Sequence, residues 1–261
     1  LATNYAGVDP VYEPIPVRPV VHYIMGGIDT DIHGATSVRG LYAAGECACV
    51  TINGANRLGS NSLTELLVFG ARSGTAAARF ALEHPAINVA ALQAQAQDEQ
   101  QRISRDYINK TGGTQRIAAI RSEMHAAMES GAGIYRDGQS LASTCNKIAQ
   151  LRDRFKDVSL DDHTLSFNTE LTTALELGFM LDVAEAIAQS ALARRESRGS
   201  HQRLDYAERD DENLLKHSLA CYNPGAPPRI EYKNVTITKW PPGKRIYGAD
   251  SGLAEKGPQT R

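Results

Sequence analysis

The sequence predicts an α+β fold in three parts: a strand–loop–helix unit, an antiparallel helical bundle, and a small irregular and β region at the C-terminal end. Three observations lead there. Between Leu41 and Gly74 a short apolar run gives way to a Gly/Asn-rich loop with one arginine, then to a helical repeat. After Pro85 come long Ala-, Gln- and Arg-rich stretches broken by paired glycines. From residue 198 onward the chain is polar and irregular. The assigned spans are 1–85, 86–200 and 201–261.

Residues 1–20 carry Pro10, Pro14, Pro16 and Pro19, which fix extended, irregular backbone. Residues 20–38 alternate apolar and polar side chains around the turn formers His33 and Gly34. A β-hairpin or two short strands is expected, with Gly26 and Gly27 leaving room for a close ligand. The apolar run beginning at Leu41 reads as a strand ending at Gly45 and Glu46. A carboxylate at a strand's C-terminal end is placed to accept from a sugar hydroxyl, although many buried strands end in Gly-Glu.

The next helix is predicted to start at Ser62, where Ser62 and Glu65 have capping-box spacing. Leu66, Val68, Phe69 and Ala76 carry the helical period to about Ala81. Gly70 and Gly74, four apart, allow a close-packed neighbour. The unpaired N–H groups and positive dipole end beside Asn61 and Ser62 suit an anion or an electron-rich ring edge. A well-capped surface helix is the competing reading.

Four helical stretches are expected beyond: about 88–109, 114–130, 139–156, and Asn168 to about Ser197. Gly112, Gly113, Gly131 and Gly133 serve as breakers. Leu171, Leu175, Leu177, Leu181, Ala184 and Ile187 provide the core face of the last one. No inward-facing metal-ligand pattern occurs, so this part reads as structural, and His125 and His163 as surface or satisfied core groups. In the tail, RIEYKNVTITKW suggests a strand pair, and the Arg/Asp/Glu alternation a solvated face by default, with a salt-bridged surface belt under a partner subunit as the alternative. Disorder is expected from about Gly248.

A net charge of −2 gives no pull toward nucleic acid or a membrane surface, and no apolar run of about 18 residues exists to span a bilayer. Cys47, Cys49, Cys145 and Cys221 have no CxxC spacing, and buried reduced thiols are expected rather than a metal site. The chain begins at Leu1 without a signal-peptide pattern, which reads as the middle of a longer protein.

HYIMGGIDTD, GLYAAGE, NGANRLGSNSLTELLVFG, ARRESRGSHQRLDY, RDDENLLKH and PPGKRIYG together closely resemble the flavoprotein subunits of fumarate reductase and succinate dehydrogenase, with PPGKRIYG and GSNSL nearer the reductases. The resemblance implies that the first part is the C-terminal strand–loop–helix portion of an FAD-binding α/β domain. His22 and Arg57 would be catalytic, holding one carboxylate of the substrate. Gly45 and Glu46 would lie at the FAD ribityl or ribose region. Arg57, Asn61, Ser62 and Leu63 would border the flavin, with the Ser62 and Leu63 backbone at its pyrimidine edge. Many relatives have His where this chain has Asn53, so that position is given no role.

The resemblance also implies hydride transfer between flavin N5 and fumarate or succinate, and electron flow through an iron–sulfur subunit to quinone at membrane anchor subunits. The chain would then sit peripherally on the cytoplasmic face of the inner membrane. No GxGxxG opens a βαβ unit here. The pyrophosphate site, the covalent flavin link and the capping domain are therefore expected upstream, and the chain alone is expected to be inactive. An L-aspartate oxidase type of flavoenzyme and a non-catalytic interaction fragment are the alternatives.

Overall fold

The computed structural model describes residues 1–84 and 88–243. A short helix α1 (Ala2–Ala6) opens the chain, followed by extended, largely exposed backbone through the proline-rich stretch. The first strands are two residues each: β1 (Ile28–Asp29) pairs in parallel with β2 (Ala48–Cys49), Ile28 opposite Ala48. This replaces the expected hairpin. The turn at His33 and Gly34 does form, closed by Gly34 N–H donating to Asp31 O (3.0 Å) and by Asp31 Oδ1 accepting from His33 and Ala35 N–H. Its arms carry only an isolated bridge, Ala35 to Tyr42, and the strand lies beyond Glu46 rather than before it.

The reason is Gly27. Its φ is +139°, and a Cβ there would stand 2.6 Å from Cys47 O. The close approach that Gly27 permits is therefore to backbone, not to a ligand. It brings residues twenty apart into parallel register.

Helix α2 (Asn61–Glu83) buries only Glu65, Phe69 and Ser73, a single stripe at four-residue spacing laid against this loop-rich layer. No described neighbour fills the space beside Gly70 and Gly74. Pro85, the expected boundary, lies outside the described residues.

Helix α3 (Val89–Ile103) buries no residue and continues as a π-turn (Ser104–Ile108), whose Tyr107 and Ile108 enter the core. The stretch expected as one bundle helix thus contributes only its last turn. Its polar Ala/Gln face has too little apolar surface to pack. The bundle proper consists of α4 (Ile117–Ala132), α5 (Gly138–Phe155) and α6 (Thr169–Ala193). Ile120, Ile148, Leu151 and Leu177 are fully buried between them, with Met124 and Leu181 nearly so. Gly131 permits the closest approach of α4 to α5, since a Cβ there would overlap the Thr144 hydroxyl. Asp137 and Asn168 cap α5 and α6, accepting from Ser140 N–H (2.9 Å) and Leu171 N–H (2.7 Å). His163 is a satisfied group, 2.5 Å from Ile108 O, and His125 is exposed. Among the described residues no cluster of His, Cys, Asp or Glu could hold a metal.

The polar tail is not a solvated face. Glu196 is completely buried, and its carboxylate accepts from Arg194, from Arg198 Nε (2.8 Å) and Nη2 (2.9 Å), and from Asp210 N–H (2.8 Å). Arg203, in the two-residue strand β4 (Gln202–Arg203), is 3% exposed. Its Nη1 donates to Ala191, Leu192 and Arg194 carbonyls, the orphan acceptors at the end of α6. Its Nε and Nη2 pair with Asp205, which also accepts from Gly138 N–H at the start of α5. A short strand β3 (Tyr135–Arg136) runs parallel to β4. The charges are inside because helix ends must be satisfied there.

The last two strands, β5 (Lys216–Cys221) and β6 (Arg229–Asn234), form an antiparallel pair. RIEYKN is therefore a strand, but its partner is KHSLAC, and VTITKW is irregular. The residues from Gly248, expected to be disordered, lie outside the described ones.

Two stability predictions arise. Glu196→Ala leaves two arginines buried around an empty acceptor site, and should cost about 3–5 kcal/mol, read as a lowered urea midpoint by circular dichroism. His201 sits between Arg136 Nη1, 3.0 Å from its Nδ1, and Arg194 O, 3.1 Å from its Nε2. Burial first, and then the charges of Arg136 and Arg203, push its pKa below the usual value. The fold thus holds a neutral ring that protonates more readily when unfolded. Its contribution is complete above about pH 6.5 and is lost as pH falls below that. The midpoint should drop between pH 7 and 5, and the drop should be smaller in His201→Gln.

Candidate functional site

The loop from Val50 to Ser60 is the structural centre of the first part, and it is strained. Thr51 and Ser60 have φ of 70° and 65°, positions costly for residues with a Cβ. Three attachments hold it. Asn53 Nδ2 donates to the buried Glu65 Oε2 at 2.7 Å. Arg57 N–H points to the Met25 sulfur at 3.0 Å. Ala55 O accepts from both the N–H and the hydroxyl of Ser200, each at 3.0 Å. Gly199 makes that last clasp possible, since a Cβ there would lie 2.4 Å from Ala55 O.

The extended segment 22–26 lies alongside. Ile24 N–H donates to Glu46 Oε1 at 3.2 Å, so this carboxylate braces the segment, with its second oxygen uncommitted among the described residues. Gly45 is buried at φ +85°, its missing side chain giving space to Leu66. Tyr23 places its ring beneath the Arg57 guanidinium, 4.3 Å from Cζ to the ring centre. Arg57 Nη1 donates to Leu58 O at 3.0 Å, and Nε is enclosed without an acceptor among the described residues. Nη2 is left free of partners there. Arg57 is half-buried, whereas His22, the residue before Tyr23, is exposed, and no hydrogen bond joins the two.

Tyr23, Met25, Cys49, Asn53, Glu65 and His217 line a narrow cavity beside this pair. Burial, then Lys233, depresses the His217 pKa, against the raising influence of Asp29. Burial raises the Cys49 thiol. Cys47 is exposed, contrary to the expectation of four buried thiols, while Cys145 is buried and Cys221 half-buried.

The start of α2 departs from the capping box. The N-cap is Ser60, in a left-handed conformation and without a side-chain cap bond. Ser62 lies inside the helix, and Glu65 cannot reach back because its register with Phe69 turns it into the buried stripe. The Ser62 N–H consequently has no acceptor among the described residues, and Asn61 and Leu63 are exposed beside it. An open helix N-terminus four residues after a half-fixed arginine suits anionic or electron-rich ligand groups.

Sequence reasoning assigned no role to Tyr23, Gly199 or Ser200, and read Glu65 only as a cap. An aromatic next to His22 and the Arg-Gly-Ser-His stretch were the available signals.

Residues 121–247 match the family described as the fumarate reductase flavoprotein C-terminal region, and residues 1–63 match an FAD binding domain family. The fumarate reductase flavoprotein subunit of Mycobacterium tuberculosis is 55% identical over 251 residues, covering 95% of this chain and 43% of that protein. The succinate dehydrogenase flavoprotein subunit of Rickettsia felis is 40% identical, covering 94% and 44%. A solved Escherichia coli quinol fumarate reductase chain superposes with a TM-score of 0.89 at 50% identity, covering 94% of this chain and 42% of its own. The chain thus spans a little over two-fifths of the length of these relatives.

Gly27→Ala should be the most damaging small substitution in this layer. It combines a glycine-only φ with a 2.6 Å backbone overlap, and should cost at least about 2 kcal/mol, measured as a lowered thermal midpoint. An unchanged midpoint would show that the β1–β2 register does not depend on it.

Proposed function

This chain belongs to the fumarate reductase and succinate dehydrogenase flavoprotein family, and we propose that it forms one wall of a flavin and dicarboxylate site where fumarate and succinate are interconverted. The observation that carries this reading is the Arg57 guanidinium, held by Leu58 O at Nη1 and by the Tyr23 ring at its face, with its backbone N–H on the Met25 sulfur and Nη2 without a partner among the described residues, next to the uncapped start of α2. A planar, permanently charged donor held in place suits a carboxylate. His22 is the second donor to that carboxylate, and the pair draw charge from the alkene while orienting it.

The residues present fit FAD. Among the described residues the Ser62 N–H lacks an acceptor, Leu63 is exposed beside it, and Glu46 retains a free carboxylate oxygen, which suits a ribityl or ribose hydroxyl. Gly45 and Asn61 complete that edge. Bound FAD would supply two-electron chemistry for reduction of the double bond. The start of α2 stabilises negative charge placed against it, as on a reduced flavin ring.

The site is completed by groups outside this chain. Only one stripe of α2 is covered, while Leu63, Leu66, Leu67 and Val68 remain exposed. The spans 1–85, 86–200 and 201–261 act as the end of the FAD-binding domain, a supporting helical domain and a tail. Among the described residues no helix is long and apolar enough to cross a membrane. Membrane association on the cytoplasmic face would come through an iron–sulfur subunit and quinone-binding anchors. The relative solved as quinol-fumarate reductase with menaquinol supports this assembly. Identity of 55% to a fumarate reductase subunit against 40% to a succinate dehydrogenase subunit favours the reductase.

In the complete flavoprotein subunit, Arg57→Ala should weaken dicarboxylate binding about 100-fold, the loss of one charge-assisted hydrogen bond from Nη2, with FAD content unchanged. Unchanged fumarate affinity would refute the clamp. The 261-residue chain alone, supplied with FAD and a reduced viologen dye, should not reduce fumarate, and turnover would refute the need for a second wall.

A further inference from the structure

Tyr23 is placed with more care than a filler residue needs. Its two successors are both pinned: Ile24 N–H to Glu46, and the Met25 sulfur to Arg57 N–H. These anchors fix the backbone that carries the ring and so set where its side chain begins. Directly over its face, 4.3 Å from the ring centre, lies the Arg57 guanidinium, inside the distance at which a ring's negative face attracts a cation. Leu58 O fixes Nη1 and the packing encloses Nε. The Tyr23 hydroxyl is buried beside the Glu65 carboxyl group and makes no hydrogen bond of good geometry among the described residues. Burial, and then the charges of Glu65 and Glu46, hold its pKa above the ordinary phenol value, which keeps the ring neutral.

We propose that Tyr23 is a positioning residue, its ring face being the platform that holds the Arg57 guanidinium level so that Nη2 stays free for the dicarboxylate. The inference rests on the reading of Arg57 as the carboxylate clamp. An arginine without the platform would have to be ordered anew by each substrate molecule, and binding would weaken for that reason. The same extended segment carries His22, so the platform also ties the two carboxylate donors to one piece of backbone.

The test uses the complete flavoprotein subunit in its assembled complex. Tyr23 is replaced by Phe, and then by mono-, di- and trifluorinated Phe, which keep the ring's shape and withdraw electron density from its face. Tyr23→Phe should stay within about twofold of the parent. KM for fumarate should then climb with each fluorine to about fivefold, the scale of a partly exposed cation–π contact. FAD content and kcat at saturating fumarate should stay constant. A flat KM across the series overturns the proposal. Arg57→Ala, measured in parallel, separates the two claims: a severe loss there with a flat fluorine series removes the platform alone, while an unchanged KM in Arg57→Ala removes the clamp and the platform together.

Discussion

Glu65 is 3% exposed on a helix that buries only two other side chains. A carboxylate is costly to bury unless something donates to it, and here the donor is Asn53 from the strained loop. That bond fixes the loop to α2, so that the backbone between Asn53 and Ser60 must span a set distance, with Arg57 on it. The negative charge also faces Tyr23, the ring under Arg57. The loop, the arginine and the open helix end are therefore one unit whose parts share a buried carboxyl group.

The helical part supports this unit from a distance. Its core of Ile120, Ile148, Leu151, Leu177 and Leu181 makes a firm body, and Arg203 with Asp205 ties the end of α6 to the start of α5. The chain leaving α6 runs through the buried Glu196 cluster straight to Gly199 and Ser200, which hold Ala55 O two residues from Arg57. Packing of the bundle is thereby transmitted to the loop that carries Arg57 through one carbonyl. The tail's charges, unremarkable as composition, gain their meaning from that route.

Long periodic elements were legible in the sequence. The stretches expected at 114–130 and 139–156 correspond to Ile117–Ala132 and Gly138–Phe155, because apolar spacing over several turns outweighs local exceptions. The resemblance carried by HYIMGGIDTD and NGANRLGSNSL placed the fold. Short elements were not legible. Two-residue strands carry no period, and the β1–β2 pairing depends on a glycine approach between distant residues. Ser62 and Glu65 fit a capping box by spacing, but burial of the stripe with Phe69 and Ser73 took the glutamate elsewhere. Arginine and acid alternation looks solvated unless one knows that α6 ends beside it. For the candidate site, His22, Glu46 and Arg57 could be singled out as residue types, and the tertiary contacts that hold Arg57 could not.

The central claim is that Arg57 and the start of α2 form one wall of a shared flavin and dicarboxylate site. A structure of the complete flavoprotein with oxidised FAD and bound fumarate tests it most directly. The account predicts a fumarate carboxylate within hydrogen-bond distance of Arg57 Nη2 and the flavin pyrimidine edge against the Ser62 N–H at the start of α2. Fumarate bound away from Arg57, or a flavin whose ring does not meet α2, would contradict it.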